Sequence, residues 1–172
     1  MFESENTLRR FMTERAEGEF HDRYERAIEQ VRSEFGKRFS MVIGGRAVMT
    51  SEMVSETSPI DTRIVLGRLP SGGRKHARQA VAAAKKAFET WGRSDYRERV
   101  RICRASADIM SQRKFELAAW ISYENGKNRY EAIADVDEAI DFVRYYAEEM
   151  EHNNGFENEM KSASPNEKSR SV

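Results

Sequence analysis

Between residues 71 and 150, apolar side chains recur every three or four positions. Because an α-helix completes a turn about every 3.6 residues, this spacing places them on one helix face and predicts a series of amphipathic helices. Gly92 and Gly126 mark helix ends, and Asp95 with Glu98 forms a capping box that opens the second helix. Three apolar faces consist of Ala77, Val81, Ala84, Phe88 and Trp91; Tyr96, Val100, Cys103, Ala107 and Met110; and Ile133, Val136, Ile140, Val143, Ala147 and Met150. A further helical segment, between the second and the third of these, carries Phe115, Leu117, Trp120 and Ile121 at less regular spacing.

The two ends of the chain differ from this helical region. Residues 1–37 predict a helical extension, because their main apolar residues keep the same spacing. Residues 151–172 are mostly polar and predict a tail that is disordered or an unpaired strand. The apolar face of the N-terminal helix consists of Phe20, Tyr24, Ala27, Val31 and Phe35.

An extended segment, residues 38–70, separates the helical extension from the later helices. Its first part carries two apolar runs around Gly44 and Gly45, a pair that predicts a tight β-hairpin turn. Residues 52–70 are expected to be irregular or extended, with a second extended run at 64–70. The segment therefore predicts one small hairpin followed by extended chain.

Charge and cysteine content exclude several classes of partner. The 29 basic residues balance the 29 acidic ones, so no long-range attraction to nucleic acid or to an anionic membrane is expected. No apolar run reaches the ~20 residues that cross a bilayer. A single cysteine permits no intrachain disulfide, and a reducing cytoplasm is the simplest location.

The residues give no complete catalytic, cofactor-binding or metal site. Cys103 lies on a predicted apolar helix face, so we expect it to pack in the core rather than to act as a nucleophile. His21, His76 and His152 are too far apart in sequence for a recognisable metal-ligand spacing and are expected to be solvated. The glycine pairs match neither a dinucleotide-binding nor a P-loop pattern.

An acidic cluster occupies the last predicted helix, at Asp135, Asp137, Glu138 and Asp141. The favoured interpretation is a solvated helix face, since runs of charge usually lie in water. The alternative is that Glu138 and Asp141, three residues apart on one face, line a cleft.

Several segments resemble the aldehyde dehydrogenase family. Residues 39–48 are similar to its opening strand and turn, and residues 78–91 to its first long helix with a closing tryptophan. Residues 135–147 and the helical extension are similar to the delta-1-pyrroline-5-carboxylate dehydrogenase branch, also called L-glutamate gamma-semialdehyde dehydrogenase. Two positions depart from the pattern: Asn128 stands where the family usually has proline or another helix-starting residue, and Ile133 replaces an acidic residue that is common in the branch.

This resemblance implies an α/β fold of which the chain is the mainly helical N-terminal part, with a small β-hairpin and without the complete cofactor sheet. Residues 71–150 would then be the helical part of an incomplete cofactor-binding domain. Family members oxidise an aldehyde through a cysteine thiolate and pass hydride to NAD, but those elements lie beyond the matching segments, and Cys103 does not stand in the nucleophile's context. No residue here inherits a catalytic role, whereas Glu138 and Phe142 would face the aldehyde-access tunnel.

Two hypotheses for function follow. On the first, the chain is the N-terminal fragment of an NAD-dependent enzyme of this branch, is inactive alone, binds no cofactor alone, and has the missing C-terminal portion or dehydrogenase subunits as partners. On the second, it is a standalone helical binding module that associates with full-length dehydrogenase subunits. Independent enzymatic activity would require a site that the sequence does not contain.

Overall fold

The computed structural model describes the backbone of residues 14–156, 158–160 and 169–171, and the side chains of residues 17–156. Five α-helices account for most of it, with three pairs of short strands and one 3-10 turn. The elements are α1 Glu14–Arg32, β1 Met41–Ile43, β2 Arg46–Val48, β3 Met53–Thr57, β4 Val65–Pro70, α2 Arg74–Trp91, α3 Tyr96–Gln112, α4 Lys114–Asn125, α5 Arg129–His152, the 3-10 turn Asn154–Phe156, β5 Asn158–Met160 and β6 Ser169–Ser171.

Four of the helices form the core. α1 packs on α4, α4 packs on α5, and α5 packs on α3. This arrangement confirms the predicted helices and buries most of their apolar faces. Burial of such faces supplies most of a helix's stability in proteins, so the packing stabilises all four helices. The core residues are Phe20, Tyr24, Ala27 and Val31 of α1, Ala107 of α3, Phe115, Ala118 and Ala119 of α4, and Ala132, Ile133, Val136 and Ile140 of α5.

The helical extension is joined to the later helices by aromatic and polar contacts. The Tyr24 hydroxyl donates a hydrogen bond to the Ala118 carbonyl oxygen at 2.9 Å and lies 2.8 Å from the Ser122 hydroxyl. The ring of Phe20 stacks on that of Tyr130, with 5.0 Å between centroids. α1 is therefore part of the same core as α4 and α5.

The predicted hairpin is present as β1 and β2, which pair antiparallel. Gly44 and Gly45 both have positive φ, 59° and 75°, as the favoured two-residue hairpin turn requires. The expectation of one hairpin was incomplete, because β3 pairs antiparallel with β4 to form a second. The apolar pattern did not predict β3 as a strand, because Val54 is followed by three polar residues in a row.

The loop between β3 and β4 is docked on the end of α4. Ser58 is fully buried, and its hydroxyl donates a hydrogen bond to the Tyr123 carbonyl oxygen at 2.6 Å. The same hydroxyl oxygen accepts from the Ile60 amide at 3.3 Å. The second hairpin is thus fixed to the helical core through a buried side chain.

Helix α2 has the predicted apolar face but no buried residue. Val81, Phe88 and Trp91 are 57, 68 and 44% exposed. Within the described structure, β1 is the element on which α2 rests most closely, where Ala83 approaches Gly44. An amphipathic helix normally buries such a face, so the described residues do not supply the surface that the sequence of α2 requires.

The tail contains two short strands, β5 and β6, which pair antiparallel with each other. The sequence had predicted disorder or an unpaired strand there. The domain boundaries at residues 37, 70 and 150 stay predictions.

Candidate functional site

Helix α5 carries the two residues that the resemblance assigned to substrate access, and its first turn is fixed by a side-chain cap. The Asn128 carboxamide oxygen accepts hydrogen bonds from the Tyr130 and Glu131 amides, each at 3.0 Å. Asparagine is among the best N-cap residues, so this departure from the family pattern still begins a helix.

Contacts with α1 hold the same end of α5. The Arg129 guanidinium pairs with Glu25 and approaches the His21 imidazole Nδ1 at 3.3 Å. It also lies over the Tyr24 ring, 5.3 Å from the centroid. Burial raises the pKa of Tyr24 above its ordinary value, although the Ser122 hydrogen bond and the Arg129 charge lower it in part.

Only part of the acidic cluster lies on the solvated face that the sequence favoured, since Glu138 is exposed whereas Asp137 and Asp141 are buried. Asp137 is fully buried and forms an ion pair with Lys114 of α4, whose residue is 9% exposed, and Asp141 is 8% exposed. Among the described residues the Asp137 oxygens have no hydrogen-bond partner, so attraction to the Lys114 charge is what compensates for their burial there. The prediction was wrong for Asp137 because it lies one turn from Ile133, on the face that packs against α4.

Glu138 and Phe142 lie one turn apart on the opposite, exposed face of α5. The Phe142 ring stacks on that of Tyr146, with 6.3 Å between centroids and 16° between planes, and Tyr146 meets Tyr145 edge to face at 5.4 Å. The structure therefore places the two residues on one exposed face, where Phe142 forms an aromatic patch with Tyr145 and Tyr146. The spacing of Tyr145 and Tyr146, three and four residues after Phe142, is the sequence signal for this patch.

Charge near Glu138 is predominantly negative. The Lys127 ammonium pairs with Asp135, and this bond raises the pKa of Lys127, with smaller contributions from Glu131 and Glu138. Three carboxylates thus surround one ammonium. The N-terminal half of the exposed α5 face is acidic, and its C-terminal half is aromatic.

Cys103 is exposed, which corrects the expectation of core packing. A residue three positions along a helix lies about 60° from its starting point, so Cys103 falls at the edge of the stripe that Val100 and Ala107 bury. No hydrogen bond or ion pair involves the thiol in the part of the chain that the structure describes. Nothing there activates it as a nucleophile.

The described residues contain no group of three histidine, cysteine or carboxylate side chains that could hold a metal ion. None of the helices in that region has the length and apolar character needed to span a membrane. His76 instead accepts a hydrogen bond from the Gly73 amide at 3.1 Å through Nδ1.

A groove of about 660 Å³ lies between α1, β4 and α4. Phe39, Leu66 and Trp120 form part of its apolar wall, and Glu56 and Glu124 line it. Neither carboxylate has an ion-pair partner within residues 17–156. The residues that line the groove include no nucleophilic hydroxyl or thiol and no histidine.

Comparison with known proteins places these features in a family. Residues 47–172 match the aldehyde dehydrogenase family. The chain is 38% identical over 124 residues to 1-pyrroline-5-carboxylate dehydrogenase of Geobacillus thermodenitrificans, covering 72% of this chain and 24% of the relative. A second relative, 1-pyrroline-5-carboxylate dehydrogenase 2 of Bacillus subtilis, is 38% identical over 127 residues.

Solved structures give the same result. The 1-pyrroline-5-carboxylate dehydrogenase from Thermus with bound NAD is 40% identical, with a TM-score of 0.74 over 80% of this chain and 26% of that one. The corresponding enzyme of Mycobacterium tuberculosis is 25% identical, with a TM-score of 0.75 over 85% of this chain and 27% of that one. The chain thus spans about a quarter of the length of the relatives it matches.

Proposed function

Because the chain belongs to the aldehyde dehydrogenase family, we propose that it forms the N-terminal part of a 1-pyrroline-5-carboxylate dehydrogenase. The complete enzyme would oxidise L-glutamate gamma-semialdehyde to glutamate with NAD, in proline degradation. The similarity to bacterial enzymes of that name, and to one solved with NAD, supports this proposal. The chain on its own would be inactive. The expected cytoplasmic location stays a prediction.

The observation that carries the proposal is the unpartnered apolar face of α2. Eighteen helical residues expose Val81, Phe88 and Trp91 at spacings that bury such side chains in complete domains. A contiguous apolar face of this kind commonly marks an interaction site. The remaining three quarters of a related enzyme would supply the surface that covers it.

NAD does not fit this chain alone. The described strands pair antiparallel, apart from a single parallel bridge between Arg38 and Arg68. A dinucleotide normally binds at the carboxyl ends of a parallel sheet, next to a glycine-rich turn, and the sequence has no such turn. We therefore assign no step of hydride transfer, and no catalytic role, to residues of this chain.

The contribution that we assign to the chain is substrate access. The exposed face of α5 that carries Glu138 and Phe142 would line the path of the aldehyde in the complete enzyme. The carboxylate of Glu138 would attract the ammonium group of the amino-acid substrate, and the Phe142 ring would border its aliphatic part. The positions of both side chains on one exposed face support this role.

Complementation tests the proposal. The full chain would be co-expressed with the part of the Geobacillus enzyme that this chain does not match, and the purified mixture assayed for NADH formation from L-glutamate gamma-semialdehyde. We expect activity with both parts and none with either alone. Phe88→Asp should abolish it, whereas the control Lys86→Asp, on the other side of α2, should not. No activity in a mixture whose two parts bind each other would refute the proposal.

The substrate-access role has its own test in the complemented enzyme. Glu138→Gln should raise KM for the semialdehyde several-fold with little change in kcat, because it removes attraction for the substrate and leaves the chemistry intact. Glu148→Gln, an exposed carboxylate further along α5, is the matched control. Equal KM values for the two variants would remove Glu138 from this role.

The exposed α2 face also supports the second function, a standalone module that associates with full-length dehydrogenase subunits. Such a module would bind a complete enzyme as an additional subunit and would not replace any part of it. Pull-down of the intact Geobacillus enzyme by the chain, together with failure to complement the truncated one, would favour this function over the first.

A further inference from the structure

The cations along α2 suggest a second surface on which this helix docks, because the described part of the chain does not neutralise them. A shallow groove along this helix is lined by Val81 and three cations, Arg74, Arg78 and Lys85, of which Arg78 and Lys85 lie nearer the aromatic end of the apolar face. Among the residues that the structure describes, neither Arg78 nor Lys85 has an ion-pair partner. Phe88 and Trp91 follow at the C-terminal end of the same face. The face is therefore basic in its first half and aromatic in its second.

The exposed face of α5 has the opposite charge in the same order. Glu131 and Glu138 lie in its first half, and neither has an ion-pair partner within the described side chains. The neighbouring ammonium of Lys127 is already bound to Asp135. Phe142, 52% exposed, and the adjacent tyrosines follow in the second half.

The charged and aromatic residues are spaced alike along the two faces, so they match when α2 and α5 run parallel. With Phe88 beside Phe142, Lys85 lies three residues before the first and Glu138 four before the second. Arg78 and Glu131 then lie ten and eleven residues before the same rings. One residue of an α-helix rises about 1.5 Å, so both charge pairs come within reach of long side chains. A single register thus satisfies the aromatic contact and two ion pairs.

The partner helix must come from another molecule. Phe88 and Phe142 are both mostly exposed in one chain, and α2 there lies against β1 rather than α5. We propose that, in the chain on its own, α2 of one copy docks in parallel on α5 of a second copy, with Phe88 against Phe142 and Lys85 against Glu138. This inference does not depend on the proposed function. It uses the face of α2 that the rest of a dehydrogenase would cover, so it applies when that part is absent.

Charge reversal tests the register. The dissociation constant of the full chain would be measured by sedimentation across a concentration series. Lys85→Glu and Glu138→Lys should each weaken association about tenfold, because each replaces an ion pair by like charges. The double variant with both changes should restore it. Lys86→Glu, one residue along but on the far side of α2, should leave the constant unchanged.

Two results would overturn the inference. One is a wild-type chain that is monomeric throughout the concentration series. The other is association that the double variant fails to restore, or that Lys86→Glu weakens as much as Lys85→Glu, since either would show contact without this register. Circular dichroism of each variant establishes that it is folded, so that loss of association is not loss of structure.

Discussion

At the scale of single residues, the buried pair of Lys114 and Asp137 has the largest consequence for stability. Two charges taken out of water are tolerated when they face each other, and one left alone is not. The pair joins the first turn of α4 to the middle of α5. It therefore constrains how these two helices are aligned, and with it the direction of the exposed α5 face.

Removing one partner tests this account of the pair. Lys114→Met should lower the free energy of unfolding by about 3–5 kcal/mol, because it leaves the Asp137 carboxylate buried without a cation. The double variant Lys114→Met with Asp137→Leu should recover most of that loss. Denaturant titration measures both. A Lys114→Met variant as stable as the wild type would show that the carboxylate has other compensation.

Tyr24 gives a prediction for alkaline pH. Its pKa is higher in the folded chain than the unfolded value of about 10, chiefly because burial disfavours the phenolate. The stability that it contributes is complete below pH 10 and is lost as the pH rises through the folded pKa. Unfolding free energies measured between pH 9 and 11 should therefore fall more steeply for the wild type than for Tyr24→Phe. Equal slopes would contradict the raised pKa.

At the scale of elements, the beginning of α5 depends on one side chain. Asn128→Ala removes an acceptor for two backbone amides and should lower stability by about 0.5–2 kcal/mol. Asn128→Asp keeps an acceptor and places negative charge at the positive end of the helix, so its stability should stay close to that of the wild type. Thermal denaturation of the three proteins measures the difference. An alanine variant without loss would mean that the cap is dispensable.

Substitution of two phenylalanines distinguishes a helix that packs in the core from α2, which does not. Phe20→Ala in α1 should cost about 3–5 kcal/mol, since the ring is fully buried. Phe88→Ala in α2 should change the stability of the monomer by less than about 0.5 kcal/mol, because the ring is mostly in water. Denaturant titration at a concentration where the chain is monomeric compares them. Similar losses would mean that α2 packs on the core.

The helices could be predicted from sequence because their apolar periodicity is a local property. The turn at Gly44 and Gly45 was equally predictable, since it depends on backbone conformation within a few residues. β3 was not, because polar residues dominate that strand and only its pairing with β4 defines it. Exposure was the least predictable property. Cys103 was expected to be buried and is exposed, whereas Asp137 was expected to be solvated and is buried. Burial depends on which helices pack together, and the local sequence does not specify that.

At the scale of the whole molecule, a packed set of four helices stands beside one helix whose apolar face the described part of the chain leaves uncovered. The core is continuous from α1 to α5, so the region is expected to fold without a partner. The face of α2 cannot be explained by that core. We propose that its apolar residues pack against further chain in the complete enzyme.

The most direct test of this account is whether the chain combines with the part of a related dehydrogenase that it does not match. The mass of an equimolar mixture would be measured by light scattering after gel filtration. The account predicts a complex containing one of each, which Phe88→Asp prevents and Lys86→Asp does not. Two parts that elute separately, or a complex that Phe88→Asp leaves intact, would contradict the claim that the α2 face is where the rest of the enzyme packs.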